Sequence, residues 1–136
     1  MDYYSWKKDG SFILPSGYFQ SHEFECHCLH PECVDQKISA HLVDLLNAVR
    51  KTLGSPIQIT SGYRCHQHQL DLASKGFETA KGISQHELGN ASDLVADDMD
   101  RLGKQAQNYF KAIGYSKRFI HVDLRADKER YWHYKN

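Results

Sequence analysis

The 136-residue sequence carries no net charge: seventeen basic and seventeen acidic side chains cancel. That removes the global electrostatic footprint of a protein built to hold nucleic acid or an anionic membrane, so neither partner is expected. Long apolar runs are missing too. None approaches the ~20 residues that span a bilayer, and no membrane span is expected. The opening MDYYSWKKDGSF has two lysines but no apolar stretch behind them, so a secretory signal is not expected either. Internal repeats and low-complexity segments are absent. What is left is the length of one compact domain, able to bury roughly two-thirds of its unfolded surface.

What the chain does hold is histidine and cysteine. Nine histidines is a high count for this length, and the four cysteines are Cys26, Cys28, Cys33 and Cys65. Without a secretory signal, a disulfide framework is the less expected use of them. Metal chemistry therefore has to be tested position by position.

Residues 1–25 are aromatic and polar, punctuated by Gly10, Pro15 and Gly17, and read as an irregular lead-in with short extended pieces. Ile38, Leu42, Leu45, Leu46, Val49 and Leu53 share one face at helical spacing, which predicts a helix over 37–53 with Ser39 as cap and Gly54 as stop. The run 56–60 (PIQIT) alternates and predicts a strand. Residues 61–83 read as a long connection, a place where function concentrates. A second strand is predicted over 91–96. A helix is predicted over 98–113 from Met99, Leu102, Ala106 and Phe110, ended by Gly114, and a third strand over 119–124. This order gives an α+β single domain, with helices packed against a small, mostly antiparallel sheet. Its core would span 26–132.

The central chemical signal is the segment Ser84-Gln-His86-Glu-Leu-Gly89-Asn-Ala91-Ser-Asp93. His86 offers a neutral nitrogen and Asp93 an anionic oxygen, both good zinc donors. His121 is the candidate third donor. Strand alternation puts it on the same face as Asp123. Three protein ligands leave a fourth position open, which is the catalytic arrangement. Taken one at a time, these residues are better explained as a loop histidine, a cap or turn aspartate and a satisfied sheet histidine.

The segment matches at every fixed position the S-x-H-x-x-G-x-A-x-D motif and so resembles the zinc D-Ala-D-Ala carboxypeptidase family, which shares its fold with the Hedgehog signalling domain. Upstream, Ile59-Thr60-Ser61-Gly62-Tyr63-Arg64-Cys65 resembles the family's tSGYRc block. Downstream, Phe119-Ile-His121-Val-Asp123 resembles its HvD block, and Arg130-Tyr-Trp132 an RxW that often follows. The resemblance implies a Hedgehog/DD-peptidase-like fold, one catalytic Zn²⁺ on His86, Asp93 and His121, and a substrate-holding role for Arg64. A guanidinium fork suits a carboxylate or a polarised carbonyl. A structural ion pair under the sheet is the other use open to Arg64.

Two departures from the family matter. Several relatives place a catalytic Glu three residues before the last His, where this chain has Arg118. The available carboxylate is Asp123, which either activates the metal's water or orients His121. The stretch between Arg64 and Ser84 also differs from the small, Gly-rich segment common in relatives, which puts the substrate in doubt but not the metal. Ser61, Tyr63, Ser84 and His133 complete the candidate substrate-binding set.

Cys26-His-Cys28-Leu-His30-Pro-Glu-Cys33 is ligand-rich. A second, structural zinc would need four donors from Cys26, Cys28, Cys33, His27, His30 or Cys65. Packing as small hydrophobes, or a disulfide, is the favoured reading.

The expected activity is hydrolysis of peptidoglycan stem peptides at a bond involving a D-amino acid, as a carboxypeptidase or an endopeptidase. A monomer is expected, made in the cytosol and acting on the wall as a phage or prophage product. The alternative is a catalytically silent, zinc-containing wall-binding or virion assembly module.

Overall fold

Five short strands form one twisted sheet whose two faces do different jobs. The computed structural model describes residues 2–10, 12–15, 17–77 and 83–135. The element order is β1 (Tyr3–Lys7), a 3-10 turn at Ser21–Phe24, β2 (Asp35–Ser39), α1 (Ala40–Leu53), β3 (Gln58–Ser61), α2 (His66–Ser74), β4 (Ala91–Val95), α3 (Met99–Ala106), β5 (Ala112–Tyr115), β6 (Ile120–Asp123) and β7 (Arg130–His133). The main sheet has the order β3-β4-β6-β5-β7. All its pairings are antiparallel except β5 with β7. The chain is α+β, as its sequence implies. No helix among the described residues is long and apolar enough to cross a membrane.

One sheet face is apolar. Ile59, Leu94, Ile113, Ile120 and Val122 are buried there with Leu42, Leu46, Val49 and Leu53 of α1 and Leu102 and Ala106 of α3. The helical stripe read from the sequence is thus the core face of α1. Ser39 caps that helix by accepting the Leu42 N–H at 3.2 Å, and Gly54 ends it in the left-handed region at φ 75°.

The opposite face carries one row of cross-strand neighbours. Ser61 pairs with Asp93, Asp93 with His121, His121 with Gly114, and Gly114 with Trp132. A single row across five strands therefore holds two of the three candidate metal ligands.

Four sequence expectations need correction. Residues 37–39 belong to β2, not to the helix. Gln36 and Ile38 are buried at alternate positions because β2 pairs with β1, so Ile38 fits a strand as well as a helical stripe. That same pairing gives the lead-in a regular strand. The helix predicted over 98–113 ends at Ala106. Phe110 stays buried because its N–H still reaches the Ala106 carbonyl in the closing turn, which imitates helical spacing. Gly114 is no helix stop. It lies in β5, where a Cβ would come within 2.6 Å of both the Trp132 and Tyr134 rings. Finally, the long connection contains α2, whose only buried residue is Gln69, so it shows no apolar stripe to read. Residues 78–82 of that connection lie outside the described residues.

Candidate metal centre and cleft

Asp93 and His121 sit opposite each other on β4 and β6, and His86 arrives from the loop before β4. Gly89 makes that loop possible. Its φ of 76° is a left-handed conformation that a Cβ disfavours, and it turns the chain between His86 and Asp93. Ser84 shapes the same loop, its hydroxyl accepting the His86 N–H at 3.1 Å.

The three side chains converge. His121 Nδ1 lies 3.0 Å from Asp93 Oδ1, His86 Nε2 lies 3.3 Å from the same oxygen, and the two nitrogens are 3.2 Å apart. All three residues are buried. The far side of each ring fixes its tautomer. His86 Nδ1–H donates to the Gly62 carbonyl at 2.7 Å, which leaves Nε2 bare. His121 Nε2–H donates to Asp123 Oδ2 at 2.9 Å, which leaves Nδ1 bare. Two lone pairs and a carboxylate oxygen thus face one another in a buried space. Such an arrangement needs a cation, and a His₂Asp donor set suits zinc. The candidate trio is among the groups able to hold a metal ion.

The electrostatics report the same demand. Burial pushes the His86 imidazole below its ordinary pKa. Burial would also lower His121, but the two carboxylates flanking its ring, Asp123 and Asp93, outweigh this and raise it. Burial would raise Asp93, yet the facing imidazoles hold it well below the carboxylate range.

Asp123 is more committed than its sequence position suggests. Beyond His121, it accepts from the Arg125 backbone N–H at 2.9 Å and from the Arg125 guanidinium at 3.0 and 2.8 Å. Burial alone would raise its pKa, but the bonds to His121 and Arg125 take it down to about 2. Both oxygens are spoken for and the side chain has no exposed surface. Arg125 in turn lies over the Trp132 ring, 5.4 Å from its centroid.

A cleft of about 500 Å³ opens beside Asp93, lined by Thr60, Ser61, Arg64, Arg118, Phe119 and Tyr134 among others. Lys117 and Lys135 add to the rim. Arg64 donates to Ser61 Oγ at 2.9 Å and pairs with Asp93 Oδ2 at 2.9 Å. It is therefore both a cleft residue and the group that steers Asp93 Oδ1 toward the histidines. Gln69, buried on α2, stands 3.5 Å from Arg64 Nη1.

Of the predicted site residues, His86, Asp93, His121, Asp123, Arg64 and Ser61 are brought together. Ser84 supports the loop. Tyr63 is turned away and packs on the cysteine cluster. His133 is also elsewhere, stacked on Tyr115 at 5.4 Å and lining the groove beside α3. Tyr134, not His133, lines the cleft, and its hydroxyl is pushed up to about 12, chiefly by burial. Sequence reasoning missed Tyr134. Strand alternation from Trp132 supplied the signal, because residues 132 and 134 share a face.

The family model described as Peptidase M15 matches residues 17–123. The chain belongs to the M15 peptidase family. A D-alanyl-D-alanine carboxypeptidase from Enterococcus faecalis is 27% identical over 130 residues, an alignment covering 76% of this chain and 48% of that protein. The chain thus spans about half the length of that curated relative. M15 peptidases depend on zinc, and the His86–Asp93–His121 constellation supplies a place for it.

Proposed function

We propose that this M15 chain is a zinc peptidase acting on peptidoglycan stem peptides, at a bond next to a D-amino acid that bears a free carboxylate. The observation that carries the reading is the convergence of His86 Nε2, His121 Nδ1 and Asp93 Oδ1 beside a cleft rimmed by Arg64, Lys117, Arg118 and Lys135. The carboxypeptidase name of the Enterococcus faecalis relative supports the substrate class.

A zinc ion held by the three donors supplies a Lewis acid for a peptide carbonyl and a source of nucleophilic water near neutral pH. The chain's own residues do the rest. His86 and His121 present their bare nitrogens because Gly62 and Asp123 hold the opposite N–H groups. Asp123 acts as a positioning residue: with both oxygens engaged, it locks the His121 tautomer and makes the ring a stronger donor. Arg64 steers Asp93 and offers its remaining N–H groups to the substrate's carbonyl or carboxylate. Tyr134 lines the cleft, and its hydroxyl keeps its proton at neutral pH.

A second reading, a zinc-containing wall-binding module without hydrolysis, draws on one observation. Arg118 stands where several relatives carry Glu, and Asp93 is the one carboxylate among the described residues lining the cleft. Mass analysis of stem pentapeptide incubated with the zinc-loaded protein separates the readings. Loss of one terminal D-Ala supports the carboxypeptidase. Cleavage inside a cross-link would make it an endopeptidase, and intact peptide that still binds would favour the module.

A further inference from the structure

The catalytic reading leaves the cysteines unused, and the fold gathers all four. Cys26, Cys28 and Cys33 come from the loop after the 3-10 turn, and Cys65 caps the N-terminus of α2. None is disulfide-bonded. Their sulfurs all lie within 4.8 Å of one another, with Cys28 and Cys65 at 3.6 Å and Cys26 and Cys65 at 3.8 Å. A disulfide needs about 2.05 Å. A tetrahedral ZnS₄ centre with bonds of about 2.3 Å has edges of about 3.8 Å. The spacing is therefore that of zinc ligands.

A second observation is independent of the spacing: every sulfur has an N–H donor. The Cys65 backbone N–H points to Cys26 Sγ at 3.4 Å and the His68 N–H to Cys65 Sγ at 3.4 Å. Gln36 Nε2 donates to Cys33 Sγ at 3.5 Å, and the Lys8 ammonium lies 3.9 Å from Cys28 Sγ while holding the Cys28 carbonyl at 2.9 Å. Gln36 is itself buried, and its carbonyl oxygen accepts the Cys26 N–H at 2.7 Å. Thiols packed as small apolar groups do not call for four donors, one of them a cation. Thiolates on a metal do. Four thiolates around Zn²⁺ leave a charge of −2, which the Lys8 ammonium partly offsets.

We propose that Cys26, Cys28, Cys33 and Cys65 bind a structural zinc ion, closed by four sulfurs and distinct from the open His86–Asp93–His121 site. The sequence offered all four among six possible donors and favoured packing or a disulfide. Cys65 lies 39 residues beyond Cys26, and the fold brings it to the other three while leaving His27 and His30 out of the sulfur cluster. The ion ties the cysteine loop to the start of α2 directly beside Arg64. It does so alongside the His30–Asp71 contact at 2.8 Å, which joins the same two segments. Binding releases the thiol protons to solvent and needs no oxidant. The proposal stands whether or not the chain hydrolyses peptidoglycan.

The test is a metal and thiol count on the full chain purified under reducing conditions. A dilute chelator strips the open site first. A mercurial is then expected to release one zinc as four thiols react, and those thiols are expected to resist a disulfide reagent until the zinc leaves. The Cys33→Ser variant is expected to lose this zinc and keep the one at His86. Four thiols that titrate at once with no zinc released, iron in place of zinc, or an oxidised pair by mass would overturn the proposal. Should Cys33→Ser not fold, the wild-type titration decides alone.

Discussion

Asp123 is the residue whose role most shapes the mechanism. A base must have a free lone pair near the reacting water, and both Asp123 oxygens are taken by His121 and Arg125. An orienting carboxylate acts on the metal rather than on the proton. Asp123→Asn is therefore expected to weaken zinc affinity about 10- to 100-fold, measured by competition with a chromogenic chelator. Unchanged affinity with a collapsed kcat would instead assign proton transfer to Asp123. A second residue-scale prediction concerns Asp71 and His30. Each shifts the other, the carboxyl below its ordinary 3.8 and the imidazole above its ordinary 6.5. The sign follows. Asp71's contribution is present above 3.8 and lost as pH falls through its lowered midpoint. His30's is present below 6.5 and lost as pH rises through its raised one. NMR titration of Asp71 is expected to show a midpoint that moves up in His30→Ala; an unmoved midpoint would deny the pairing.

At the scale of elements, the row Ser61–Asp93–His121–Gly114–Trp132 explains why strands carry the site. Gly114 has no side chain on the metal face, so Trp132 can come within 5.4 Å of His121, ring centre to ring centre. Gly114→Ala would place a Cβ about where two rings now lie. Overpacking of that kind costs about 1–3 kcal/mol, which urea denaturation would register as a lower midpoint. A wild-type midpoint would show that β7 has room to move. The sequence made some elements plain and hid others for physical reasons. His86, Asp93 and His121 were legible as a trio because the blocks that hold them resemble a known zinc-peptidase family in order; their donor types alone have other uses. The α1 stripe was legible because it faces the core. By contrast, α2 was hidden by its lack of an apolar stripe, β1 and β2 pair outside the main sheet, and the end of α3 was masked by Phe110. Which four of the six candidate cysteines and histidines come together was hidden because Cys65 lies two strands and a helix beyond Cys33.

At the scale of the whole molecule, zero net charge conceals a local field. Arg64, Lys117, Arg118 and Lys135 gather at one cleft, so the neutral total says nothing about the ligand there. Arg118 is exposed on the rim. Exposed pairs are each worth about 0.2–1 kcal/mol, so Arg118→Glu is expected to raise KM for a free-carboxylate peptide by about two- to tenfold. High salt should shrink the effect, and a C-terminally amidated peptide should not show it. An equal effect on both peptides would mean that Arg118 does not sense the carboxylate.

The central claim is that the His86–Asp93–His121 zinc performs hydrolysis. The most direct measurement follows D-Ala release from stem pentapeptide by one preparation, as purified, after chelation and after zinc is returned, with His86→Ala alongside. The account predicts release that chelation abolishes and zinc restores, and none from His86→Ala despite a folded chain. Release that survives chelation, or a fully active His86→Ala protein, would contradict it.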